Sequence, residues 1–315
     1  MDFERPLVSL GLPVFNGGRY LEGALESILT QSFRDFELII SDNASTDETQ
    51  QICTAFAKKD KRIKYRRNSK NVGLAANHNL LFSASIGKYF KWVAHDDEYD
   101  ASMLQRCVEI LEAAPPTVAL VYTKCEMIDE HGRSIGVASD QVASRSQYSA
   151  VRLSRFLKNA NIYAFTYGLV RSEVLRMTSL YGLFPMSDRV LFAEISMLGE
   201  LQEIDEPLLR LRLHPGRSLR LQRTSQARRE LFDPSATVKG AFLSPRIRAY
   251  IEVVHRSLTT PPSTISKISC AFISVLIPPW QGFRNFFGYW RRKFLSIGRS
   301  QSHRGDAGEI ARTDD

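Results

Sequence analysis

Through the first 125 residues, short apolar runs rich in β-branched and aromatic side chains alternate with segments whose apolar positions recur every three or four residues. That alternation is the pattern of βαβ units building a mostly parallel sheet. The runs predict strands over 7–12, 36–41, 63–66, 89–94 and 118–122. A helix is predicted over 20–30, where Leu21, Ala24, Leu25, Ile28 and Leu29 share one face. A second should open at Ser45-Thr46-Asp47-Glu48, with Ser45 and Glu48 at capping-box spacing. A third is predicted over 74–83, and a fourth from near Ser102, with Gln105 in the matching box position. Four strand-to-helix crossovers in so short a stretch predict an α/β, doubly wound fold.

Beyond residue 125 the rhythm changes. A hairpin is expected at Glu130-His131-Gly132, then a helix over 151–157, a strand over 165–170, a helix over 188–198 and a strand over 206–213 that ends at His214-Pro215-Gly216. The polar, basic stretch 222–230 reads as a linker. Next comes an apolar run, 265–277, then Trp280, Phe283, Phe286, Phe287, Tyr289 and Trp290, and then Arg291-Arg292-Lys293. Such a run is too short for a bilayer, whose crossing takes about 20 apolar residues. Two readings stay open: an interfacial anchor, or a small helical subdomain packed on the main domain. From Arg299 the tail is polar and reads as disordered. The expected division is 1–220 for the α/β domain, 221–298 for a helical, basic and aromatic extension, and 299–315 for the tail.

Composition narrows this little. An apolar share of 43% in 315 residues supports a buried core, and the net charge of +8 suits an anionic partner without choosing among nucleotide diphosphate, phospholipid surface and nucleic acid. Cys53, Cys107, Cys125 and Cys270 stand far apart, with no C-x-x-C pair, and read as free thiols. Acidic residues stand near the N-terminus where a signal peptide would be basic, so the catalytic part is expected in the cytoplasm.

In open sheets, ligands bind beyond the carboxyl ends of the strands. Polar clusters fall at those ends: Asn16-Gly17-Gly18, Asp42-Asn43, residues 68–71, and His95-Asp96-Asp97. Adjacent aspartates at a strand end are costly unless neutralised, so Asp96-Asp97 points to a divalent cation holding a diphosphate. The plain alternative is a solvated turn before the next helix. Asp47, in the first turn of a predicted helix, is expected to cap it.

Four segments carry a resemblance: Leu-Pro-Val-Phe-Asn-Gly-Gly-Arg-Tyr-Leu (12–21), Ser-Asp-Asn-Ala-Ser-Thr-Asp (41–47), Asn-Val-Gly-Leu-Ala-Ala-Asn (71–77) and Trp-Val-Ala-His-Asp-Asp (92–97). In order and spacing they resemble the successive signatures of family 2 inverting glycosyltransferases of the GT-A fold, over roughly the first 215 residues. The resemblance implies that Pro13, Val14, Phe15 and Asn16 surround the base and ribose of a nucleotide sugar, by backbone and side chain. Asp42 would bond the base, a preference suited to UDP- or dTDP-linked donors. Asn71, Gly73 and Asn77 would line the same pocket, with Gly73 allowing close approach. The metal motif departs from the family's Asp-x-Asp, since Ala94 stands at its first position, and His95 is expected to fill part of that gap. Asp96 and Asp97 remain as ligands of Mg or Mn. Leu-Arg-Leu-His-Pro-Gly-Arg-Ser (211–218) resembles the Arg-x-His segment that closes such domains, so His214 is a third expected ligand, with Arg212 and Arg217 beside it facing phosphate. Asp188 aligns with the catalytic base, and Ser187 replaces the acid before it. The competing reading makes Ser187 or Asp188 a helix cap.

The implied reaction moves a sugar from a nucleotide diphosphate to a hydroxyl of a glycan or lipid-linked saccharide in cell-surface polysaccharide synthesis, on the inner face of the cytoplasmic membrane. Acceptor contacts are expected from 140–185, including Tyr163 and Tyr167. No nucleic-acid partner is expected. A nucleotidyltransferase would need a glycine-rich loop after the first strand, and a dinucleotide oxidoreductase a G-x-G-x-x-G; neither is present. A catalytically degenerate nucleotide-binding or basic interaction protein on the same fold is the alternative that Ala94 and Ser187 keep open.

Overall fold

The structure, a computed structural model, describes residues 5–161, 164–216, 231–234 and 244–277. Its first half follows the predicted order: β1 (Val8–Val14), α1 (Gly18–Leu29), β2 (Phe36–Asp42), α2 (Thr49–Lys59), β3 (Ile63–Arg67), α3 (Leu74–Ser83), β4 (Tyr89–Trp92), β5 (Glu98–Tyr99), α4 (Met103–Ala113) and β6 (Val118–Ile128). There follow β7 (Ser134–Ala138), α5 (Ser149–Asn159), a 3-10 turn (Ala164–Tyr167), β8 (Leu169–Arg171), α6 (Ser172–Arg176), α7 (Ser187–Leu198), β9 (Glu200–Arg212), α8 (Pro245–Thr259) and α9 (Thr264–Leu276).

The strands join in one sheet of order β3-β2-β1-β4-β8-β6-β9-β5, with β7 hydrogen-bonded to β6. β1 pairs in parallel with β2 and β4, β2 with β3, and β6 with β9, while β8 runs antiparallel between β4 and β6. β1 and β2 are almost continuously buried, because both faces of the sheet are covered. The buried Ser9 hydroxyl is satisfied within the sheet by Glu37, at 2.5 Å. One core is filled by Leu21, Leu25 and Ile28 of α1 and Leu104, Val108 and Leu111 of α4. The other takes Leu81 of α3, Leu153 and Phe156 of α5, and Phe192 and Ile195 of α7.

Several local expectations are corrected. Neither capping box forms. The Ser45 hydroxyl accepts the Asn16 N–H instead, and α2 opens four residues later at Thr49. The Ser102 hydroxyl bonds Asp100, and Gln105 bonds Glu109 on its own helix. Asp47 does serve a helix start, accepting Thr49 N–H at 3.1 Å, and it also accepts Gly18 N–H at the head of α1. The expected strand 165–170 is a 3-10 turn followed by β8. The strand expected over 206–213 begins at Glu200, because the end of α7 delivers it directly alongside β6. The hairpin at 130–132 is present between β6 and β7.

The helical extension is not separate in its packing. Ala249 and Val253 of α8 and Cys270 of α9 belong to the second core, with α5 and α7. No helix among the described residues is long and apolar enough to cross a membrane. The linker 222–230, Tyr163, Arg217, the aromatic and basic run from Trp280 to Lys293 and the tail from Arg299 lie outside the described residues.

Candidate active site

The carboxyl edge of the parallel strands gathers the predicted residues. β1 ends at Val14, β2 at Asp42 and β9 at Arg212, just before His214. β5 pairs antiparallel with β9, Glu98 opposite Arg210, which folds the loop after β4 onto the end of β9. Residues 118 apart in sequence thereby meet: His214 Nε2 lies 2.9 Å from Asp96 Oδ2, both side chains about nine-tenths buried. The Tyr20 ring of α1 packs on the His214 ring, centroids 4.8 Å apart.

Asp188 reaches the same edge by geometry. α7 hands directly to β9, whose first residue pairs with Val118 at the amino end of β6. Twelve helical residues rise about 18 Å, so the other end of α7, with Asp188 in its first turn, comes back to the carboxyl edge. Beneath it, Phe192, one turn on, packs on Trp92 at the end of β4, and Trp92 packs edge-on against Tyr181. Burial raises the Asp188 pKa above the usual carboxylate value of 3.8, opposed by the Arg189 backbone N–H and guanidinium. Tyr181 is also raised, by burial first and then by the charge of Asp188. The N-cap of α7 is Met186, in a left-handed conformation with φ 72° and without a side-chain cap, and the buried Ser187 hydroxyl has no hydrogen-bond partner among the described residues. Ser187 therefore does not cap this helix.

The donor side differs from expectation in which groups point outward. Phe15 is 42% exposed and Pro13 half-buried, but the Val14 side chain is in the core, so only its backbone is available. Asn16, at φ 51°, uses its side-chain oxygen Oδ1 to accept Thr46 N–H at 2.8 Å. Asp42 is fully buried: Oδ1 accepts Ser45 N–H, and Oδ2 accepts the Tyr65 hydroxyl at 2.9 Å and Arg67 Nε at 3.1 Å. It holds the loop after β2, and Arg67, which also donates to the Ser45 carbonyl, balances its charge.

Asn71 and Asn77 are also frame residues. Asn77 Oδ1 accepts from Ser41 and Asn68 while its amide donates to the Ser41 carbonyl, and Asn71 Oδ1 accepts from Asn43 and from Gly73 N–H. Gly73 sits at φ 86°, and what comes close to it is the chain itself: a Cβ there would lie 2.5 Å from the Phe232 carbonyl oxygen and 2.7 Å from Pro234. The His95 ring lies over the first loop, since a Cβ on Gly17 would meet it at 2.6 Å.

Asp97 is corrected as well. Its carboxylate turns inward, accepting Arg212 N–H at 2.8 Å, and it is fully buried. Arg212 is spent on the protein, on the Asp96 carbonyl, the Asp129 carbonyl and the Glu98 carboxylate, so it braces the loop rather than facing phosphate. Tyr167 is half-buried against the first core, and its carbonyl accepts the buried Lys91 ammonium. Burial pulls that ammonium down to about 8. The sequence reading missed Arg67, Tyr65 and Tyr181, whose partners Asp42 and Trp92 lie on other strands.

Residues 9–176, more than half the chain, match the family described as Glycosyl transferase family 2. The chain belongs to that family. An uncharacterized glycosyltransferase of Rickettsia prowazekii is 28% identical over 219 residues, 66% of this chain and 64% of that one. One from Haemophilus influenzae is 26% identical over 222 residues, 66% of each chain. This chain thus spans just under two thirds of the Rickettsia relative it matches. Among solved structures, Staphylococcus aureus TarS in complex with UDP-GlcNAc superposes with a TM-score of 0.64 at 16% identity, over 89% of this chain and 74% of that one. The mannosyltransferase PcManGT from Pyrobaculum calidifontis, in complex with GDP-Man and Mn2+, gives 0.51 at 16%, over 98% and 77%. At such identity the likeness is one of fold, and the fold is GT-A.

In this family 2 chain the described residues contain no group of three or more His, Cys, Asp and Glu placed to hold a metal. The pair Asp96 and His214 nonetheless fits one. A carboxylate oxygen and an imidazole nitrogen are donors that divalent ions accept, and here the two meet in a hydrogen bond of 2.9 Å. Two protein donors leave the remaining corners to phosphate oxygens and water, which is how small divalent ions sit at nucleotide sites.

Proposed function

We propose that this family 2 member is an inverting glycosyltransferase that takes a sugar from a nucleotide diphosphate donor, UDP- or dTDP-linked, and passes it to a hydroxyl of a glycan or lipid-linked saccharide in cell-surface polysaccharide synthesis, on the cytoplasmic side of the membrane. The observation that carries this is the meeting of Asp96 and His214 at the carboxyl edge that also receives Asp188. The donor base lies along Phe15 and the loop over which His95 is held, with Arg67 presenting positive charge beside Asp42.

Inversion requires one base opposite the leaving group. Asp188, in the first turn of α7, is that base: its raised pKa makes it a better proton acceptor than an ordinary aspartate. It takes the proton of the acceptor hydroxyl as that oxygen attacks the anomeric carbon. Asp96 and His214 would hold Mg or Mn, which when bound neutralises charge on the departing diphosphate. The aromatic floor of Trp92, Tyr181 and Phe192 excludes water from beneath the base.

Calorimetric titration with a panel of nucleoside diphosphates, with and without Mn, tests the donor side. Metal-dependent binding of one diphosphate, lost in Asp96→Ala and in His214→Ala, is expected. Absence of any nucleotide binding would favour the degenerate reading, whereas binding without donor hydrolysis or transfer would place the loss at Ser187 and Asp188.

A further inference from the structure

α9 is built inside out. Its inner side carries the small residues Cys270 and Ser274, while Ile265, Ile268, Phe272, Val275 and Leu276 are between 55% and 79% exposed. At about 100° per residue these five fall within an arc of about 100°, one continuous apolar stripe facing away from the protein. A soluble surface helix places such residues inward, so an outward stripe marks an interaction face.

Charge says what the face meets. Between Glu252 and Asp306 the sequence contains no acidic residue and eight Lys or Arg, as many positive charges as the net +8 of the whole chain. Lys267 stands on α9 itself, and the aromatics from Trp280 to Trp290, then Arg291-Arg292-Lys293, follow directly in sequence. An apolar stripe on α9, followed in sequence by aromatic residues and by positive charge of one sign, matches an anionic bilayer, where apolar insertion and attraction to acidic headgroups add. At 13 residues α9 is about 20 Å long, short of a hydrocarbon core of about 30 Å, so it lies on the surface rather than across it.

We infer that the Ile265, Ile268, Phe272, Val275 and Leu276 face of α9 docks this chain onto an anionic lipid surface. α9 packs with α8 and α5 around the core shared with α7, so docking fixes the orientation of the helix that carries Asp188 relative to the membrane. That an acceptor arrives laterally from the bilayer rests on the transferase reading above. The docking itself does not.

The test is sedimentation of the full chain with vesicles of phosphatidylcholine alone or mixed equally with phosphatidylglycerol, at low and high salt, without substrate. Binding is expected to the anionic vesicles and to weaken with salt. In the double variant Ile268→Gln with Phe272→Gln, partition should fall on the order of tenfold for each side chain withdrawn from the bilayer. Its melting temperature should stay unchanged, since both side chains are already exposed. Results of three kinds would overturn the inference. One is absence of binding by the native chain, or binding that the double variant retains. Another is a lipid-free dimer that the variant dissociates, which would make the stripe a contact between copies. The third is a lowered melting temperature in the variant, which would mean that another part of the chain covers it.

Discussion

Replacing Asp188 by Asn tests the base against the cap. The change is nearly isosteric and removes only the ability to take a proton. General bases contribute roughly 10²- to 10⁴-fold, about 2.7 to 5.4 kcal/mol of barrier, so transfer should fall by that factor. Diphosphate affinity should stay unchanged, because the substitution leaves Asp96 and His214 in place. Stability gives a second, opposite readout. Burial raises the Asp188 pKa in the folded chain, so between the ordinary value of 3.8 and the folded value the native state retains a proton that the unfolded state has released. Native stability therefore declines as pH rises through that window, and the deficit is complete above the folded value. Asn never ionises, so the variant should melt higher than the native protein at neutral pH and like it at acid pH. Loss of a favourable charge at a helix N-terminus offsets this by about 0.3 to 1 kcal/mol. At this chain size each kcal/mol recovered moves the midpoint by about 1 to 2 °C. Radiolabelled-sugar transfer and pH-resolved thermal denaturation read the two effects. Undiminished transfer, or a lower midpoint at neutral pH, would refute the assignment and make the carboxylate a helix-terminal group.

Gly17→Ala forces a methyl into the His95 ring and Val14, each 2.6 Å from the new Cβ, so it should cost about 1 to 3 kcal/mol and weaken diphosphate binding, as denaturation and calorimetry would show. Asp42→Ala leaves Ser45 N–H, the Tyr65 hydroxyl and Arg67 without their shared acceptor. The loss should approach the lower end of about 3 to 5 kcal/mol, since the Arg67 side chain keeps 35% of its surface in water; a change under 1 kcal/mol in urea unfolding would contradict the frame role. Glu194→Ala removes the buried acceptor of Ser179 and of Thr260, the tie between α7 and the end of α8. It should lose about 1 to 3 kcal/mol and speed hydrogen exchange selectively in α8 and α9; uniform exchange would show that the tie carries no local weight.

How far the sequence carried the picture can be judged residue by residue. Hydrophobic periodicity found β1 to β4, and located α1, α3 and α4 within two residues, because the burial of one face is written into local spacing. It failed on the capping boxes, where the Ser45 and Ser102 hydroxyls met better partners from elsewhere: Asn16 N–H across the loop and the Asp100 carboxylate. The strand-end clusters were legible because a parallel sheet sends its loops to one edge. That Asp96 and His214 belonged to one site was legible only through the motifs.

What the sequence alone determined, then, is the alternation that makes a doubly wound sheet, the edge where polar residues collect, and the chemical identity of the candidates. What tertiary structure decided is the direction in which each of those side chains points. Asp96 and Asp97 are neighbours with the same chemistry, yet one meets His214 and the other turns inward to a backbone N–H of Arg212, because β5 pairs with β9 and the chain alternates across that pairing. Asn71, Asn77 and Asp42 likewise became a frame, since each found its partners on other loops arriving at the same edge. Local spacing fixes which face of an element is buried, but the partner waiting at a strand end is supplied by chain far away in sequence, and only the assembled sheet brings it there.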